Sequence, residues 1–347
     1  MRPAMGLLTG TRTEREIVSA LIDAYDTALF DLDGVIYLGP EVVPGAAEAM
    51  AELRRVDKSV MYVTNNAARP VQVVIDQLNR LGIAADVDSV LTSAQVAATA
   101  LPAELPAGAK VLVCGSANLA ALMGEAGFQV VTGADDHPAA VIQGYDPDLS
   151  WRQLDEAALA IQQGAGWYAT NADASRPTDR GLVPGVGGAI ALLSTALGGA
   201  PTVFGKPYRP MLTEALRRTG AKHPIFVGDR LDTDIVGAVA AGIPSLLVLS
   251  GAHGKGDLVS AAPDAHPSYI GADVTALLKP PRTAAVTPGR ATCGNQSAAA
   301  GAGKVTITSV PATQEEQLDA LWALAQLAWG DPRLDASEAL SVLELLP

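Results

Sequence analysis

The 347-residue sequence is poor in cysteine, in aromatic residues and in basic residues. Its two cysteines, Cys114 and Cys293, lie far apart and in unlike contexts. Two free thiols in a reducing compartment are the simplest interpretation, so we expect a cytoplasmic protein. Lys and Arg number 24 against 37 Asp and Glu, which gives a net charge of −13. Without a basic surface to displace counterions from phosphates, the composition argues against a nucleic-acid partner.

The sequence also lacks an apolar run that suits a membrane-spanning helix. Residues 181–205 contain no charged residue, but they include two prolines and seven glycines. Such a segment cannot form one continuous helix of about 20 residues. We predict a short buried helix at 189–197 instead, and no membrane partner. The N-terminal segment carries Glu14 and Glu16 ahead of any apolar run, which argues against a secretory signal.

Short apolar or β-branched runs recur along the chain and alternate with amphipathic helical patterns. The runs lie at 28–30, 60–63, 111–113, 141–142, 167–169, 202–204, 225–227 and 246–249. The helical patterns include 46–55, 70–81 and 210–219. Strands that alternate with helices predict right-handed β-α-β units and a parallel sheet, whose ligands bind beyond the carboxyl ends of the strands. Polar residues directly after an apolar run are therefore the first candidates for a functional site.

Two carboxylates follow the first apolar run. Asp31 and Asp33 stand two residues apart where the strand gives way to a loop, and Gly34 permits a sharp turn there. One carboxylate can attack phosphorus and form an aspartyl-phosphate. The other can protonate the leaving alkoxide and then deprotonate the hydrolytic water. The same spacing also fits a plain turn or part of a calcium loop, so this motif alone does not decide the function.

Three further strand ends carry residues that suit a phosphate and a divalent cation. Thr64 and Asn65 offer a hydroxyl, an amide and backbone N–H groups, although a Thr-Asn pair after a strand is otherwise ordinary capping. Lys206 puts a compact cation after a strand, although in isolation it would be read as a solvated surface lysine. Asp229 and Asp234 supply oxygen ligands for a hard cation.

Electrostatic repulsion explains why these parts belong together. A carboxylate that approaches a phosphate dianion meets a repulsion of roughly 4 kcal/mol per charge pair at about 4 Å and intermediate dielectric. A magnesium ion between Asp31, Asp229 and a phosphate oxygen, with Lys206 beside it, would offset that repulsion. We therefore expect Mg²⁺ as the cofactor of an otherwise acidic protein.

The four motifs, in this order, resemble those of the haloacid dehalogenase superfamily. They are Asp31-Leu32-Asp33-Gly34-Val35, Thr64-Asn65-Asn66, Gly205-Lys206-Pro207, and Gly228-Asp229 with Thr233-Asp234-Ile235. The segments 43–46, 169–173 and 183–185 narrow the resemblance to the subclass with a large α/β cap of the C2 type between the second and third motifs. That subclass includes glycerol-phosphate, phosphoglycolate and 4-nitrophenyl phosphatases and a ribonucleotide monophosphatase. The resemblance covers residues 22–278 and leaves out the last seventy or so.

The resemblance implies a catalytic and a metal-binding role for the carboxylates. Asp31 is expected to be the nucleophile, and Asp33 the general acid and base. Mg²⁺ is expected to bind Asp31, the backbone carbonyl of Asp33, and Asp229. Asp234 is expected to act on the metal through a water molecule.

The resemblance also implies which residues contact the substrate. Thr64, Asn65 and Lys206 are expected to hold the phosphate. The remaining substrate contacts are expected from Asn66 and, in the cap, from Asn171 and Asp173.

The implied fold is a Rossmann-like α/β core with a parallel sheet and an inserted α/β cap. We expect the core to comprise residues 1–85 and 198–279, and the cap 86–197. The cap is expected to close over the substrate and to exclude bulk water.

Two segments follow the core. Residues 280–304 are rich in Pro, Ala, Gly, Ser and Thr without an apolar period, which predicts a flexible linker. Beyond it, an alternating run at 305–310 and helical patterns at 315–329 and 336–346 predict a short β/α appendage. The sequence indicates no role for this appendage.

The predicted function is that of a Mg²⁺-dependent phosphomonoester hydrolase acting on a small phosphorylated metabolite, with glycerol 3-phosphate as the first candidate. Phosphoglycolate, a nucleoside monophosphate and 4-nitrophenyl phosphate are the alternatives. A phosphotransferase or phosphomutase would share the first steps and would differ in the acceptor. A dehalogenase would need neither Asp33 nor Asp229, so their presence disfavours it. The resemblance is compatible with a homodimer.

Overall fold

The computed structural model describes residues 19–178 and 180–347, so the prediction made from Glu14 and Glu16 lies outside the described residues. The described strands are β1 (Thr27–Phe30), β2 (Tyr37–Leu38), β3 (Glu41–Val42), β4 (Ser59–Thr64), β5 (Val90–Thr92), β6 (Lys110–Cys114), β7 (Gln129–Val131), β8 (Ala140–Gln143), β9 (Gly166–Ala169), β10 (Ser175–Thr178), β11 (Gly181–Pro184), β12 (Thr202–Val203), β13 (Pro224–Gly228), β14 (Ser245–Val248), β15 (Tyr269–Gly271), β16 (Ala284–Thr287), β17 (Arg290–Cys293), β18 (Gln296–Gly301) and β19 (Lys304–Ile307).

The described α-helices are α1 (Ala46–Arg55), α2 (Val71–Arg80), α3 (Ser93–Ala100), α4 (Ala117–Glu125), α5 (Trp151–Gln162), α6 (Val186–Leu197), α7 (Arg209–Thr219), α8 (Val236–Ala241), α9 (Lys255–Val259), α10 (Gln314–Gly330) and α11 (Ser337–Ser341). Every apolar run that we predicted as a strand contributes to one of the strands above, so that part of the prediction is confirmed. Across the described ranges, no helix is both long and apolar enough to cross a bilayer.

The first sheet has six parallel strands in the order β15-β14-β13-β1-β4-β5. Its central strand β1 is buried at every position, because helices cover both faces of the sheet. On one face, Phe30 belongs to the same apolar core as Met50 of α1 and Leu78 of α2. On the other face, Leu29 shares a core with Met211 of α7. This sheet is the predicted Rossmann-like core.

The second sheet has five parallel strands in the order β12-β9-β8-β6-β7. Helices α5 and α6 bury Leu154 and Leu193 against it. Two predicted boundaries differ from the structure. The residues of β5 lie within the predicted cap, although no strand was predicted there, and they join the first sheet; β12 lies within the predicted core but pairs with β9 of the second sheet. Strands of two or three residues carry too little pattern to reveal their partners, which explains both errors.

The prediction of a flexible linker at 280–304 is wrong. Most of this segment forms β16, β17 and β18, which continue into β19 as a four-stranded antiparallel sheet. Gly289, Gly294 and Gly303 adopt positive φ angles of 74°, 52° and 78° at the three turns. Small buried residues such as Ala291 and Ala298 let α10 pack closely on the sheet. A composition typical of linkers therefore encodes a tightly packed sheet with glycine turns.

The elements predicted after residue 304 are present in the structure, but one of the predicted helices is shorter than expected. The predicted helix at 315–329 is α10, and the alternating run at 305–310 contributes to β19. The predicted helix at 336–346 is reduced to the five residues of α11. Through α10, the appendage packs against α9 and β15 of the core, and it shares one apolar core with Leu247 and Leu249.

Candidate active site

Three loops of the first sheet meet at its carboxyl edge, and the segment after β12 of the second sheet, which carries Lys206, joins them there. Strands β13, β1 and β4 are neighbours, and Phe30 at the end of β1 is in register with Val227 and Tyr62. Asp229, Asp31 and Thr64 therefore lie side by side where these strands end. The sequence predicted this convergence, because carboxyl ends of parallel strands share one edge.

Three carboxylates form a buried cluster at this edge, which we call the acidic cluster: Asp31, Asp229 and Asp234. Each offers one oxygen that lies within 4.8 Å of the others. Asp229 Oδ2 accepts a hydrogen bond of 2.6 Å from the backbone N–H of Ala252. Its other carboxylate oxygen, Oδ1, is buried without a hydrogen-bond partner among the described residues. A buried carboxylate oxygen without a donor is costly, and a hard cation is the usual partner of such an oxygen set.

The pKa values of the acidic cluster also indicate that the cluster holds too little positive charge for its three carboxylates. Burial, reinforced by the neighbouring Asp234, raises the pKa of Asp229 to about 7. Burial also raises the pKa of Asp31 well above its ordinary value, although Lys206 acts in the opposite direction. The residues present thus fit a divalent metal ion, which would restore the charged carboxylates.

Lys206 is the positive charge that the protein itself supplies to the acidic cluster. Its Nζ donates a hydrogen bond of 2.6 Å to Asp31 Oδ1 and lies 2.8 Å from Asp234 Oδ1. A third contact joins Nζ to the backbone carbonyl of Val63 at 3.2 Å. The side chain is 3% exposed, so the alternative of a solvated surface lysine does not apply. Burial lowers the pKa of Lys206, but Asp234 and Asp31 raise it by more, so the side chain stays charged.

Asp33 lies at the solvent-facing side of this edge, outside the acidic cluster. Its side chain is exposed, yet surrounding atoms displace enough water to raise its pKa, although Arg69 and Lys206 lower it. A raised pKa suits a carboxyl group that must carry a proton at some stage of a reaction. Arg69 was missed in the sequence; a hydrogen bond of 2.8 Å to Gln77 Oε1 holds its guanidinium. Its position in the loop after β4, a strand whose end carries predicted site residues, could have identified Arg69 from the sequence.

The side chain of Asn65 connects three parts of the site. Its Oδ1 accepts a 2.8 Å hydrogen bond from the backbone N–H of Lys206. Its Nδ2 donates to the backbone carbonyl of Lys206 and to Asp173 Oδ1, both at 3.0 Å. Gly205 is required beside it, since a Cβ there would lie 2.6 Å from Asn65 Oδ1. In this arrangement the amide of Asn65 is engaged by protein groups, and it fixes the backbone that carries Lys206.

The predicted cap residues reach the same edge from the second sheet. Asn171 Nδ2 donates a 2.7 Å hydrogen bond to the backbone carbonyl of Asn65, and its Oδ1 accepts from the backbone N–H of Asp173 at 3.1 Å. Burial raises the pKa of Asp173. Asn66 is exposed and closes a local turn, in which its Oδ1 accepts from the Ala68 N–H at 3.1 Å. Asn171 and Asp173 thus lie at the site, whereas the structure engages the Asn66 side chain in its own loop.

This edge, with its acidic cluster and its buried lysine, has the motif order and geometry of a haloacid dehalogenase-type site, and the comparisons establish the class. A model of haloacid dehalogenase-like hydrolases matches residues 28–129, and a second HAD-hydrolase-like model matches residues 203–277. A phosphatase of Mycobacterium tuberculosis is 42% identical to this chain over 76% of its own length. The chain belongs to the haloacid dehalogenase-like hydrolase family.

Particular relatives narrow the comparison. The chain is 42% identical over 271 residues to the D-glycerol 3-phosphate phosphatase of Mycobacterium tuberculosis, which covers 78% of this chain and 76% of that protein. It is 32% identical over 257 residues to the acid sugar phosphatase of Staphylococcus saprophyticus, covering 74% of this chain and 97% of the relative. Among solved structures, glycerol phosphate phosphatase from M. tuberculosis in complex with magnesium superposes with a TM-score of 0.82 at 37% identity, covering 94% of this chain and 98% of that one.

Proposed function

We propose that this protein is a Mg²⁺-dependent phosphomonoester hydrolase that acts on glycerol 3-phosphate through an aspartyl-phosphate on Asp31. The observation that carries the proposal is the acidic cluster, in which Lys206 Nζ donates a hydrogen bond of 2.6 Å to Oδ1 of Asp31, the proposed nucleophile. The similarity to named phosphatases, one of them solved with magnesium, supports both the reaction and the cofactor.

Asp31 and Asp33 divide the chemistry. A carboxylate oxygen of Asp31 attacks phosphorus and forms the acyl-phosphate, while the P–O bond to the alkoxide breaks. Asp33 gives its proton to the leaving alkoxide and then takes one from the water that hydrolyses the acyl-phosphate. The raised pKa of Asp33 favours the protonated form that the first step needs. Free phosphate and the regenerated Asp31 complete the cycle.

The other residues hold the phosphate and the metal. Asp31, the backbone carbonyl of Asp33, and Asp229 would hold Mg²⁺, with Asp234 acting through a water molecule. When bound, the ion supplies positive charge that draws the phosphate towards a negatively charged nucleophile. Lys206 supplies a second positive charge at Asp31, and Thr64 and the backbone after it donate to phosphate oxygens. Asn65 positions Lys206.

The substrate follows from the second sheet and from the relatives. The carboxylate of Asp173 lies at the site and suits a hydroxyl of a small polyol, while Asn171 holds the backbone of Asp173 and of Asn65 in place. One relative is named a D-glycerol 3-phosphate phosphatase and the other an acid sugar phosphatase, and both names fit a small phosphorylated substrate with hydroxyl groups. The division into core, cap and appendage, a homodimer and a cytoplasmic location remain predictions.

A phosphate-release screen tests the proposal. The panel comprises glycerol 3-phosphate, phosphoglycolate, a nucleoside monophosphate, a sugar phosphate and 4-nitrophenyl phosphate, each with Mg²⁺ and with excess chelator. We expect kcat/KM for glycerol 3-phosphate to exceed that of the other metabolites by about tenfold or more, because a site that hydrogen-bonds a substrate's hydroxyls discriminates strongly. Chelation should abolish release. Activity that survives chelation would contradict the mechanism, and phosphate that appears only on an added acceptor would indicate a phosphotransferase.

Substitution of Gly251 should weaken the metal site. A Cβ at this position would overlap the carboxylate of Asp229 and push it from its place. We expect Gly251→Ala to raise the Mg²⁺ concentration for half-maximal activity by about tenfold, the size of effect seen when groups that orient metal ligands are changed. Gly256→Ala is the matched control, because a Cβ there meets no atom within 4 Å. Equal Mg²⁺ requirements in the two variants would show that the overlap does not matter.

A further inference from the structure

We infer that the C-terminal appendage, which together with the sheet found in place of the predicted linker comprises residues 284–347, is a positioning element for the proposed metal ligand Asp229. The inference rests on the proposed Mg²⁺ site. It assigns a role to the part of the chain for which the sequence indicated none. The connection runs through one short loop, residues 251–255, which we call the Asp229 loop.

The Asp229 loop holds both the side chain and the backbone of Asp229. The N–H of Ala252 donates to Asp229 Oδ2 at 2.6 Å, and the N–H of His253 donates to the backbone carbonyl of Asp229 at 3.2 Å. His253 Nδ1 accepts a 2.8 Å hydrogen bond from the N–H of Leu231, two residues after Asp229. The direction of the Asp229 carboxylate therefore depends on where this loop lies.

The end of the appendage holds the Asp229 loop through Lys255. The backbone N–H of Lys255 donates to the carbonyl of Pro347 at 2.8 Å. Its Nζ donates to the carbonyls of Leu343 and Leu346 at 2.6 Å and 2.8 Å. The two segments approach so closely that a Cβ on Gly254 would lie 2.6 Å from the carbonyl oxygen of Pro347. One lysine thus makes three hydrogen bonds to the appendage, all from the end of the loop.

The appendage end is itself fixed, so it can transmit this constraint. The N–H of Leu345 donates to Gln317 Oε1 of α10 at 2.8 Å. Helix α10 in turn is anchored on α9 and on the segment that follows it: Trp329 Nε1 donates to the carbonyl of Leu258 at 3.0 Å, and its ring stacks on His266 with centroids 3.9 Å apart. Leu231, which follows the metal ligand, belongs to the same apolar core as residues of α10.

A purely stabilising role for the appendage makes a different prediction from a positioning role. If the appendage only adds buried apolar area, loss of a contact to it lowers the melting temperature and leaves metal affinity unchanged. If it positions Asp229, loss of the Lys255 contact weakens metal binding in protein that is still folded. Metal affinity, measured apart from turnover, separates the two.

The test compares Lys255→Met with Lys304→Met in the full chain. Methionine keeps the apolar stem of lysine and removes its ammonium group, so the two hydrogen bonds to Leu343 and Leu346 are lost while the backbone one to Pro347 stays. Lys304 belongs to the same appendage, but its Nζ faces an exposed Glu338 at 3.4 Å, far along the chain from the Asp229 loop. We expect calorimetric titration with Mg²⁺, in the absence of substrate, to give a Kd about 3- to 10-fold weaker for Lys255→Met and unchanged for Lys304→Met. At saturating Mg²⁺, kcat should recover to within about twofold.

Gly254→Ala provides a second route to the same contact if Lys255→Met does not fold. Its Cβ pushes against Pro347 from the loop side, so a similar weakening of Mg²⁺ binding is expected, with Gly256→Ala as its control. Equal Mg²⁺ affinity in wild type and in the folded loop variants would overturn the inference and leave the proposed function intact. Wild-type protein that binds no Mg²⁺ would overturn the metal site and the inference together.

Discussion

Asp31→Asn is expected to lower kcat for phosphate release by about 10⁴-fold or more while the protein stays folded. The amide that replaces the carboxylate cannot form the acyl-phosphate, so the covalent route is lost entirely. Folding should not suffer, because Asp31 is buried beside two other carboxylates and its pKa is raised by that burial. Removing one of three crowded negative charges relieves repulsion, and Lys206 keeps the carboxylate of Asp234 as its partner at 2.8 Å. The melting temperature measured in chelator should therefore be unchanged or higher.

Asp232→Asn is the matched control for this substitution. Asp232 lies with Asp234 in the helical turn Leu231–Ile235 that follows Asp229, but its side chain is 56% exposed and pairs with Arg230. An exposed ion pair contributes little, about 0–1 kcal/mol, so activity and melting temperature should stay close to wild type. Turnover by Asp31→Asn above about a hundredth of the wild-type rate would remove Asp31 from its assigned role.

The sequence predicted most of the site because its residues lie at strand ends. Asp31, Thr64 and Asp229 each follow an apolar run, and a parallel sheet brings such ends together without any further information. The hydrogen bonds and charge contacts within the site could not be predicted, because they depend on the direction in which each side chain points. Nothing in the sequence shows that the amide of Asn65 turns towards the backbone of Lys206, or that Arg69 lies close enough to Asp33 to offset part of the rise that burial causes in its pKa.

The fold was predictable where a periodic pattern was long, and it was not where small residues dominate. Helix α1 buries Ala46, Ala49, Met50 and Leu53, a spacing that the sequence displays openly, and its predicted bounds are those of the structure. The sheet formed by β16, β17 and β18 has almost no large apolar side chains. Its stability comes from α10, which packs closely on it, and that contact is invisible until the chain is folded.

Lys206→Met is expected to damage stability and activity together. The substitution leaves Asp31 and Asp234 buried without the ammonium group that lies 2.6 and 2.8 Å from them. Breaking a buried ion pair by removing one partner costs about 3–5 kcal/mol, because the remaining charge stays uncompensated. Loss of one well-placed positive charge at the reacting centre should also lower kcat by about 10²- to 10³-fold. Thermal unfolding in chelator and phosphate release measure the two effects separately.

The stability effect of Lys206→Met should depend on magnesium, and this dependence tests the electrostatic account of the whole site. In wild type, Lys206 already neutralises part of the negative charge of the acidic cluster, so bound Mg²⁺ has less negative charge to neutralise. In Lys206→Met more of that charge remains, so saturating Mg²⁺ should raise the melting temperature by more than it does in wild type. Lys222→Met is the control, since Lys222 is exposed and lies away from the site. If Mg²⁺ raised the melting temperature of both variants equally, Lys206 and the metal would not share the task of neutralising Asp31, Asp229 and Asp234.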